Sequence, residues 1–391
     1  MINGDAIKAA ARKLVECPQE EIDRVLLSMA DAIEEHIPEI LKANAADQER
    51  MDKSNPMFDR LVLNEERLRG MASDTRKVVK LPSPLGRVLE KRTLENGLEV
   101  QRVSVPFGVI GIIYEARPNV TLDVAALCLK AGSACVLKGG SDAEDSCRAI
   151  VNILHQVLER HGLPAEVVTL LPSTREATAE LLEARGLVDL LIPRGSSRLI
   201  NYVRENAKVP VIETGAGVVH CYVDKDADVP MATRIVENAK CRRVSVCNAL
   251  DCLLVHRSLE SRIGEILAPM QGRVTFHYDE AAWGTEWLSY DLGIRFVDSV
   301  DEAIEHIRRY GSGHSECIVT ENSETASKFL CAIDAACVYW NAPTSFTDGA
   351  QFGLGAEIGI STQKLHARGP MALEAITTYK WIVKGNGQTR V

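Results

Sequence analysis

Cys247 lies in the stretch Cys-Arg-Arg-Val-Ser-Val-Cys-Asn-Ala, 34 residues after Glu213 in Val-Ile-Glu-Thr-Gly-Ala-Gly. Farther upstream, two segments have the strand-loop-helix pattern that often binds phosphate groups. A cysteine nucleophile whose acyl group is reduced by a bound nicotinamide would need three parts: the thiol, a carboxylate nearby and a segment that binds the phosphates of the cofactor. Since the chain has eleven cysteines and a buried cysteine is usually an inert small hydrophobe, composition alone favours a packing role for each of them. Position in the sequence, rather than residue type, makes Cys247 the candidate nucleophile.

The other cysteines fit packing or remain unassigned. Cys128 and Cys135 lie among apolar residues, as buried cysteines do. The cysteines at 241, 247 and 252 are too unevenly spaced for a zinc knuckle, and the sequence contains no Cys-x-x-Cys or His-Glu-x-x-His motif. We therefore expect no metal site.

Length and charge limit the class of protein. A chain of 391 residues is too long for one compact core, so two or more lobes are expected. Its 45 basic and 54 acidic residues give a net charge of −9, which argues against a nucleic-acid partner. The polar N-terminus and the lack of an apolar run of about 18 residues argue against secretion or a membrane span. An odd number of cysteines without a disulfide spacing favours a reducing, cytoplasmic location.

Hydrophobic spacing divides the chain into a helical beginning and two α/β regions. Helical spacing over about residues 5–80 predicts an N-terminal helical layer, and Asn96-Gly97 between two alternating segments predicts a β-hairpin at about 88–104. From 107 to about 224, strands predicted at 109–114, 134–138, 167–171, 187–192 and 209–213 alternate with helices at 122–130, 143–160, 176–184 and 197–206. A second alternation of strands and helices is predicted from about 253 to 340. A further strand is predicted at 377–383, and it would pair with the hairpin or with a neighbouring subunit. This order predicts parallel βαβ units in two lobes.

Two segments of the first α/β region could bind a dinucleotide, although no Gly-x-Gly-x-x-Gly motif is present. In Val-Leu-Lys-Gly-Gly-Ser at 136–141, backbone amides and Lys138 could meet phosphate and ribose oxygens. In Ile-Pro-Arg-Gly-Ser-Ser at 192–197, Gly195 and the hydroxyl of Ser196 or Ser197 could do the same. Strand-Gly-helix turns and serine caps are also common without a ligand, so each segment alone is weak support.

Read in order, several strings resemble the gamma-glutamyl phosphate reductases, also called glutamate-5-semialdehyde dehydrogenases, of the aldehyde dehydrogenase superfamily. These strings are residues 105–121, 137–141, 192–195, 222–228, 247–249 and 361–370. The resemblance implies an α/β, aldehyde dehydrogenase-like fold with two α/β lobes, parallel-rich sheets and a small oligomerisation hairpin. On this basis we place a nucleotide-binding domain at 1–220, a catalytic domain with Cys247 at 221–365, and a C-terminal return with an oligomerisation strand at 366–391.

The resemblance also implies roles for single residues. Cys247 would be the thiol that attacks glutamyl 5-phosphate, and Asn119 would donate to the resulting oxyanion. Glu213 matches the carboxylate with which hydrolytic relatives activate water, which here would handle protons or position the substrate. Glu286 matches the residue that holds the nicotinamide ribose. The loop before Cys247 departs from the family pattern, because Arg242 stands where glutamine is expected.

Cofactor and substrate preferences follow from the same resemblance. NAD-preferring relatives commonly have an acid where this chain has Ser141, which leaves room for a 2′-phosphate beside Lys138 and favours NADP. Arg117, His366 and Arg368 lie in the most family-specific strings, and such cations could bind the substrate's carboxylates or phosphate, or could tie loops together.

Three functions remain open at this point. The first is NADPH-dependent reduction of glutamyl 5-phosphate for proline biosynthesis, by a homodimer or larger homo-oligomer that glutamate kinase supplies with substrate. The second is a hydrolytic NAD(P)-dependent semialdehyde dehydrogenase. The third is a non-catalytic nucleotide-binding protein, which a retained Cys247 and Asn119 disfavour.

Overall fold

The structure is a computed structural model, and it describes residues 2–53 and 58–390. Met1, residues 54–57 and Val391 belong to the predicted domains but lie outside the described residues. Helices occupy Gly4–Glu16 (α1), Gln19–Glu35 (α2), Ile37–Arg50 (α3), Phe58–Leu61 (α4), Glu65–Lys80 (α5), Asn119–Lys130 (α6), Glu144–Arg160 (α7), Arg175–Glu183 (α8), Ser197–Asn206 (α9), Val229–Cys241 (α10), Ile263–Leu267 (α11), Val300–Tyr310 (α12) and Ser323–Ala332 (α13).

Strands occupy Val88–Thr93 (β1), Glu99–Pro106 (β2), Val109–Tyr114 (β3), Ala134–Lys138 (β4), Val168–Leu170 (β5), Leu190–Arg194 (β6), Val219–Val223 (β7), Leu250–His256 (β8), Thr275–His277 (β9), Asp291–Val297 (β10), Ser315–Val319 (β11), Cys337–Trp340 (β12), Gly359–Ser361 (β13), Gly369–Met371 (β14) and Thr377–Lys384 (β15). Within the described residues, every helix is too short or too polar to cross a bilayer.

The chain folds into two compact units. The first contains the described residues of Met1–Glu213, Leu354–Gly359 and Met371–Val391, and the second contains Thr214–Gly353 and Ile360–Pro370. The domain boundary placed at 220 falls inside β7, which pairs with β8 and β11 of the second unit. The predicted C-terminal segment is divided as well: its first residues belong to the second unit, and the rest returns to the first.

In the first unit, the helical layer and a parallel sheet have the predicted pattern. Ile22, Val25, Leu26, Met29 and Ile33 of α2 are all buried, because the helical repeat places them on one face. The sheet has the strand order β5-β4-β3-β6, with parallel pairing throughout. The strand order therefore reverses between β3 and β6, where open α/β sheets commonly bind ligands.

The strand predicted at 209–213 is wrong. This segment makes only a single bridge to the sheet, between Val211 and Leu191, with Leu191 N–H donating to Pro210 O at 2.8 Å and Ile212 N–H donating to Leu191 O at 3.0 Å. Pro210 has no N–H to donate, so the pairing cannot extend through it as a regular ladder. The apolar residues here are buried by packing against the sheet edge rather than by strand pairing.

The predicted hairpin forms around Gly97, whose φ of 84° requires the left-handed region. β1 pairs antiparallel with β2, and β15 pairs antiparallel with the other edge of β2 from Thr377 opposite Pro106 to Lys384 opposite Glu99. Of the two partners predicted for the C-terminal strand, the hairpin is therefore the one observed within the chain.

The second unit contains a six-stranded, all-parallel sheet of order β12-β11-β7-β8-β10-β9. Its central strands β7 and β8 are almost entirely buried, which agrees with their near-continuous apolar sequence. Cys247 lies in the connection that leads from α10 into β8. The sheet thus fixes the residues that follow the candidate nucleophile.

Candidate active site

The predicted site residues are divided between the two units. The first unit contains Arg117, Asn119, Lys138, Ser141, Gly195, Ser196 and Glu213, and the second contains Cys247, Glu286, His366 and Arg368. Each set is described within its own unit.

The Cys247 loop is held by the residue that follows it. Asn248 is buried, and its Nδ2 donates to Thr347 O at 2.9 Å, while Thr344 Oγ1 donates to Asn248 O at 2.9 Å. Cys247 itself is only half-buried, in contrast to Cys128, which is fully buried. A partly accessible thiol on a fixed backbone has the properties that a nucleophile needs.

The glycine segment, residues 214–218, packs closely against the Cys247 loop. A Cβ at Gly217 would lie 1.6 Å from the Cys247 carbonyl oxygen, and a Cβ at Gly215 would lie 2.3 Å from Thr362 Oγ1. Glu286 Oε1 accepts a hydrogen bond of 2.9 Å from Gly217 N–H. Only glycine allows these approaches, so the segment brings the nucleophile loop, the Glu286 loop and the 361–370 string together.

Glu213 ends the first unit directly before the glycine segment. Its Oε2 lies 3.4 Å from Nη1 of Arg204 on α9, and its side chain is 22 % exposed. The pairing with the guanidinium restricts the orientation of this carboxylate. This geometry suits a positioning role and does not by itself identify a base.

Asn119 is the first residue of α6, and its amide already has one partner. Its Nδ2 donates to Asp123 Oδ2 at 3.0 Å, one helical turn away. Burial raises the pKa of Asp123 to about 7, and the Asn119 hydrogen bond opposes that rise. Because an amide nitrogen has two hydrogens, one remains for an oxyanion while Asp123 fixes the direction of the group.

A small, open cleft lies at the carboxyl end of β4. It is lined by Gly139, Gly140, Glu144, Cys147, Leu170, Leu171 and Ser173. Lys138 is nearly buried beneath it and donates through Nζ to Ser173 O at 3.2 Å; burial lowers its pKa, whereas Glu144 raises it. Ser141 is exposed at the start of the segment before α7. Two of the lining residues, Gly139 and Gly140, thus lie in the chain between the Lys138 cation and the small neutral side chain of Ser141.

The N-termini of α7 and α9, which follow the two segments predicted to bind phosphate, both contact carboxylates within the protein. At α7, buried Asp47 accepts from Ser146 N–H at 2.8 Å and from Asp145 N–H at 3.1 Å. At α9, Glu115 accepts from Ser196 N–H at 2.7 Å and from Ser196 Oγ at 2.9 Å.

Glu115 also lies against Gly195, where a Cβ would be 2.5 Å from its Oε2. A phosphate at either N-terminus would meet a negative charge that the helix dipole already stabilises. The structure therefore favours a capping role for Ser196, which also accepts from Leu199 N–H, over a phosphate-binding role.

The two most family-specific strings contain strained backbone. Ala116 has a φ of 26°, and the consecutive residues His366 and Ala367 have φ values of 44° and 53°. Such conformations are costly for residues with a Cβ and often occur at functional sites. Arg117 and His366 thus lie on loops whose shape the surrounding structure imposes.

Arg368 is engaged within its own unit. Its Nη1 lies 2.8 Å from Asp334 Oδ1, and its Nη2 donates to Asp334 O at 3.0 Å. Lys364 forms a second ion pair with the same carboxylate, and these two cations lower the pKa of Asp334. Of the two roles open to Arg368, the contacts favour loop anchoring over substrate binding.

A buried group in the second unit has the residue types of a metal site. His220, Cys252 and His306 place one possible ligand atom each within 4.8 Å of one another. However, Arg295 Nη1 donates to His306 Nδ1 at 2.8 Å, so the neutral ring holds its proton on Nε2, which faces Cys252 Sγ at 3.7 Å. A protonated nitrogen has no lone pair for a metal, and we interpret the group as a polar network between strand and helix.

Local sequence patterns could have identified only part of these contacts. Asn119 and Asp123 are four residues apart on one helix, a spacing that can be read directly. Asp47 and Glu115 contact residues 99 and 81 positions away, and no local signal predicts such pairs.

Comparison with known proteins gives consistent matches over the whole chain. A model of the aldehyde dehydrogenase family matches residues 4–276. The gamma-glutamyl phosphate reductase of Bacteroides thetaiotaomicron is 54 % identical over 409 aligned positions, covering 98 % of this chain and 97 % of that protein. The crystal structure of the Thermotoga maritima gamma-glutamyl phosphate reductase superposes with a TM-score of 0.96 at 40 % identity, covering 99 % of both chains. An acetylating aldehyde dehydrogenase of Geobacillus thermoglucosidasius shares the fold, with a TM-score of 0.72 at 18 % identity over 99 % of this chain and 96 % of that one.

Proposed function

The chain belongs to the aldehyde dehydrogenase family and, within it, to the gamma-glutamyl phosphate reductases, and we propose that it reduces L-glutamyl 5-phosphate to L-glutamate 5-semialdehyde and phosphate. The product is the semialdehyde precursor of proline. The observation that supports this proposal most is the half-buried thiol of Cys247 on a backbone fixed by Asn248 and packed against the glycine segment.

The proposed chemistry begins at the thiol. The Cys247 thiolate attacks the acyl carbon, phosphate leaves, and a glutamyl thioester forms on Sγ. The free N–H of the Asn119 amide and the N–H of Cys247 are the donors that we assign to the oxyanion. NADPH, when bound, supplies the hydride that converts the thioester into a thiohemiacetal. Collapse of that adduct releases the aldehyde and returns the thiol.

Glu213 has a different task here from the one in hydrolytic relatives. An acyl-phosphate reductase loses its product to any water that attacks the thioester, so an efficient water-activating base would be harmful. The Arg204 guanidinium beside Glu213 fits a carboxylate that positions substrate or handles the thiol proton. We therefore assign Glu213 to one of these two tasks and not to the activation of water.

We propose that the first unit binds the cofactor beside the cleft at the end of β4 and that NADP is preferred. Lys138 and the side chain of Ser141, which precedes α7, would meet the adenosine ribose and its 2′-phosphate, and Glu286 of the second unit would hold the nicotinamide ribose. Because Glu115 fills the N-terminus of α9, Ser196 and Gly195 are assigned to support of the fold rather than to phosphate binding. Arg117 and His366 remain our candidates for the substrate's carboxylate or phosphate.

Replacing Ser141 with glutamate tests the cofactor assignment. The new carboxylate should repel a 2′-phosphate and move the NADPH to NADH ratio of kcat/KM toward NADH by about 1 to 3 kcal/mol, a charge-pair effect at partial exposure. Steady-state kinetics with both cofactors measures the ratio. Ser141→Gln, which has the same size without the charge, should change it little, and an unchanged ratio in Ser141→Glu would place the 2′-phosphate elsewhere.

We further propose that the protein is a homodimer or larger homo-oligomer that associates along β15. This strand exposes Tyr379, Trp381 and Val383, an apolar series on an edge strand of the kind that mediates association. We propose a glutamate kinase as a further partner that passes on its product directly, because the substrate's α-amine can attack its own acyl phosphate. The eleven free cysteines support a reducing, cytoplasmic location.

Replacing Trp381 with aspartate should therefore shift the protein toward monomers. A charge in the centre of an apolar contact opposes its desolvation. Light scattering after gel filtration measures the mass. Tyr278→Asp, at a similarly exposed aromatic residue of the second unit, should leave the mass unchanged, and an unaltered oligomer in Trp381→Asp would exclude β15 as the interface.

The enzyme activity is tested by oxidising glutamate 5-semialdehyde with NADP⁺ in the presence and absence of inorganic phosphate. We expect sustained NADPH formation only when phosphate is present to accept the acyl group. Equal rates in both conditions would identify a hydrolytic dehydrogenase.

A further inference from the structure

Asp251 is a nearly buried acid, four residues after Cys247, to which no part of the proposed chemistry assigns a role. It lies on β8 and is 2 % exposed. Its Oδ1 accepts from Trp287 N–H at 3.1 Å, and its Oδ2 accepts from Val219 N–H at 3.3 Å. One carboxylate thus joins the strand after the nucleophile to two other segments.

These two segments are the ones that Glu286 also connects. Trp287 directly follows Glu286, and Val219 begins β7 two residues after Gly217, whose N–H donates to Glu286 Oε1 at 2.9 Å. The carboxylates of Asp251 and Glu286 therefore form two neighbouring links between the same loop and the glycine segment. Removal of the Asp251 link leaves the Glu286 hydrogen bond and the stacking of Trp287 on the His277 ring, at 4.6 Å, to hold the loop.

Packing does not explain why this residue is an acid. Burial opposes ionisation of Asp251 and raises its pKa to about 7, although Lys240 and the two backbone N–H groups lower it. The remaining charged groups around it are Glu286, which raises that pKa, and Asp291, which lies near Lys240. Lys240 itself is buried and donates to Leu250 O at 2.9 Å. A neutral side chain would avoid the cost of a buried charge, but an amide of the same shape has one acceptor oxygen and would turn its NH₂ group toward one of the two N–H groups.

We propose that Asp251 is a positioning residue that holds the Glu286 loop in place for the nicotinamide ribose of the cofactor. This inference rests on the cofactor role assigned to Glu286 above. When Asp251 is protonated, a hydroxyl replaces one acceptor oxygen and one of the two amide links weakens. The affinity for the cofactor should then fall as the pH falls through about 7.

Equilibrium binding of NADP⁺, followed by tryptophan fluorescence between pH 6 and 8.5, tests the proposal without reference to turnover. Asp251→Asn should raise the Kd roughly tenfold at pH 8.5, the loss expected for one hydrogen bond to a charged acceptor. It should also flatten the pH dependence relative to the wild type. Since the nucleotide's own 2′-phosphate titrates near pH 6, the comparison between variants, rather than the wild-type curve alone, is decisive.

Three further variants separate the possible outcomes. Asp224→Asn removes an equally buried acid at the other end of β7, which accepts from Tyr222 OH and Thr320 Oγ1, and it should leave the Kd unchanged. Glu286→Gln should weaken binding, and the double variant should be little weaker than the more affected single variant, because both act on one loop.

Asp251→Glu should retain a pH-dependent Kd, which provides a second test if Asp251→Asn does not fold. A wild-type Kd and pH profile in Asp251→Asn, or fully additive effects in the double variant, would overturn the inference. A wild-type Kd in Glu286→Gln would instead overturn the cofactor role of Glu286.

Discussion

Cys247→Ala is expected to lower turnover by about 10⁴-fold or more while leaving the Kd for NADPH nearly unchanged. The thioester requires a nucleophile at this position, and removal of a covalent nucleophile typically costs several orders of magnitude in kcat. Steady-state kinetics measures the loss, and equilibrium fluorescence measures the cofactor affinity.

Two other cysteines provide controls for this variant. Cys331 is exposed, so Cys331→Ala should keep full activity. Cys128 is fully buried, and Cys128→Ala should lower the free energy of unfolding by about 1 kcal/mol through a small cavity without changing the chemistry. Activity within tenfold of the wild type in Cys247→Ala would exclude Cys247 as the nucleophile.

Oxidation of the semialdehyde should stall after one turnover when phosphate is absent. Without an acyl acceptor the enzyme remains as the thioester, because Glu213 is not assigned to water activation. Stopped-flow absorbance should show a burst of one NADPH per active site followed by a rate at least about a hundredfold lower than with phosphate. Arsenate should restore turnover, since it too accepts the acyl group.

Glu213→Gln distinguishes the alternatives for the slow phase. If Glu213 only positions groups, the substitution should leave the phosphate-free rate low. A slow leak that yields 5-oxoproline would show cyclisation of the thioester by the substrate's own amine. Sustained phosphate-independent release of glutamate that collapses in Glu213→Gln would identify a hydrolytic base.

The alternation of strands and helices could be predicted from sequence because it depends on local hydrophobic spacing. β3, β4 and α9 have the predicted bounds to the residue. The strand prediction at 209–213 is wrong because Pro210 interrupts strand pairing without altering the apolar pattern of the sequence. The region predicted as the first alternation extends to about 224 and so includes β7, which pairs in the second sheet.

The residues of the candidate site stay predictions, and their contacts could not be predicted from the sequence. The resemblance pointed to Cys247, Asn119 and Glu286, while the structure added the partners that orient them. Asp47 and Glu115 changed the interpretation of the helix N-termini because carboxylates distant in sequence fill them. Such long-range pairs leave no periodic signal, so only the fold reveals them.

The most direct test of the proposed mechanism is the mass of the enzyme after one turnover. The protein would be mixed with glutamate 5-semialdehyde and NADP⁺ in phosphate-free buffer and quenched rapidly in acid, which protects the thioester by protonating the substrate amine. Peptide mass spectrometry should then find one glutamyl group on the peptide that contains Cys247, and prior addition of phosphate should remove it. An unmodified Cys247 after a full burst of NADPH, or a glutamyl group on another cysteine, would contradict the account.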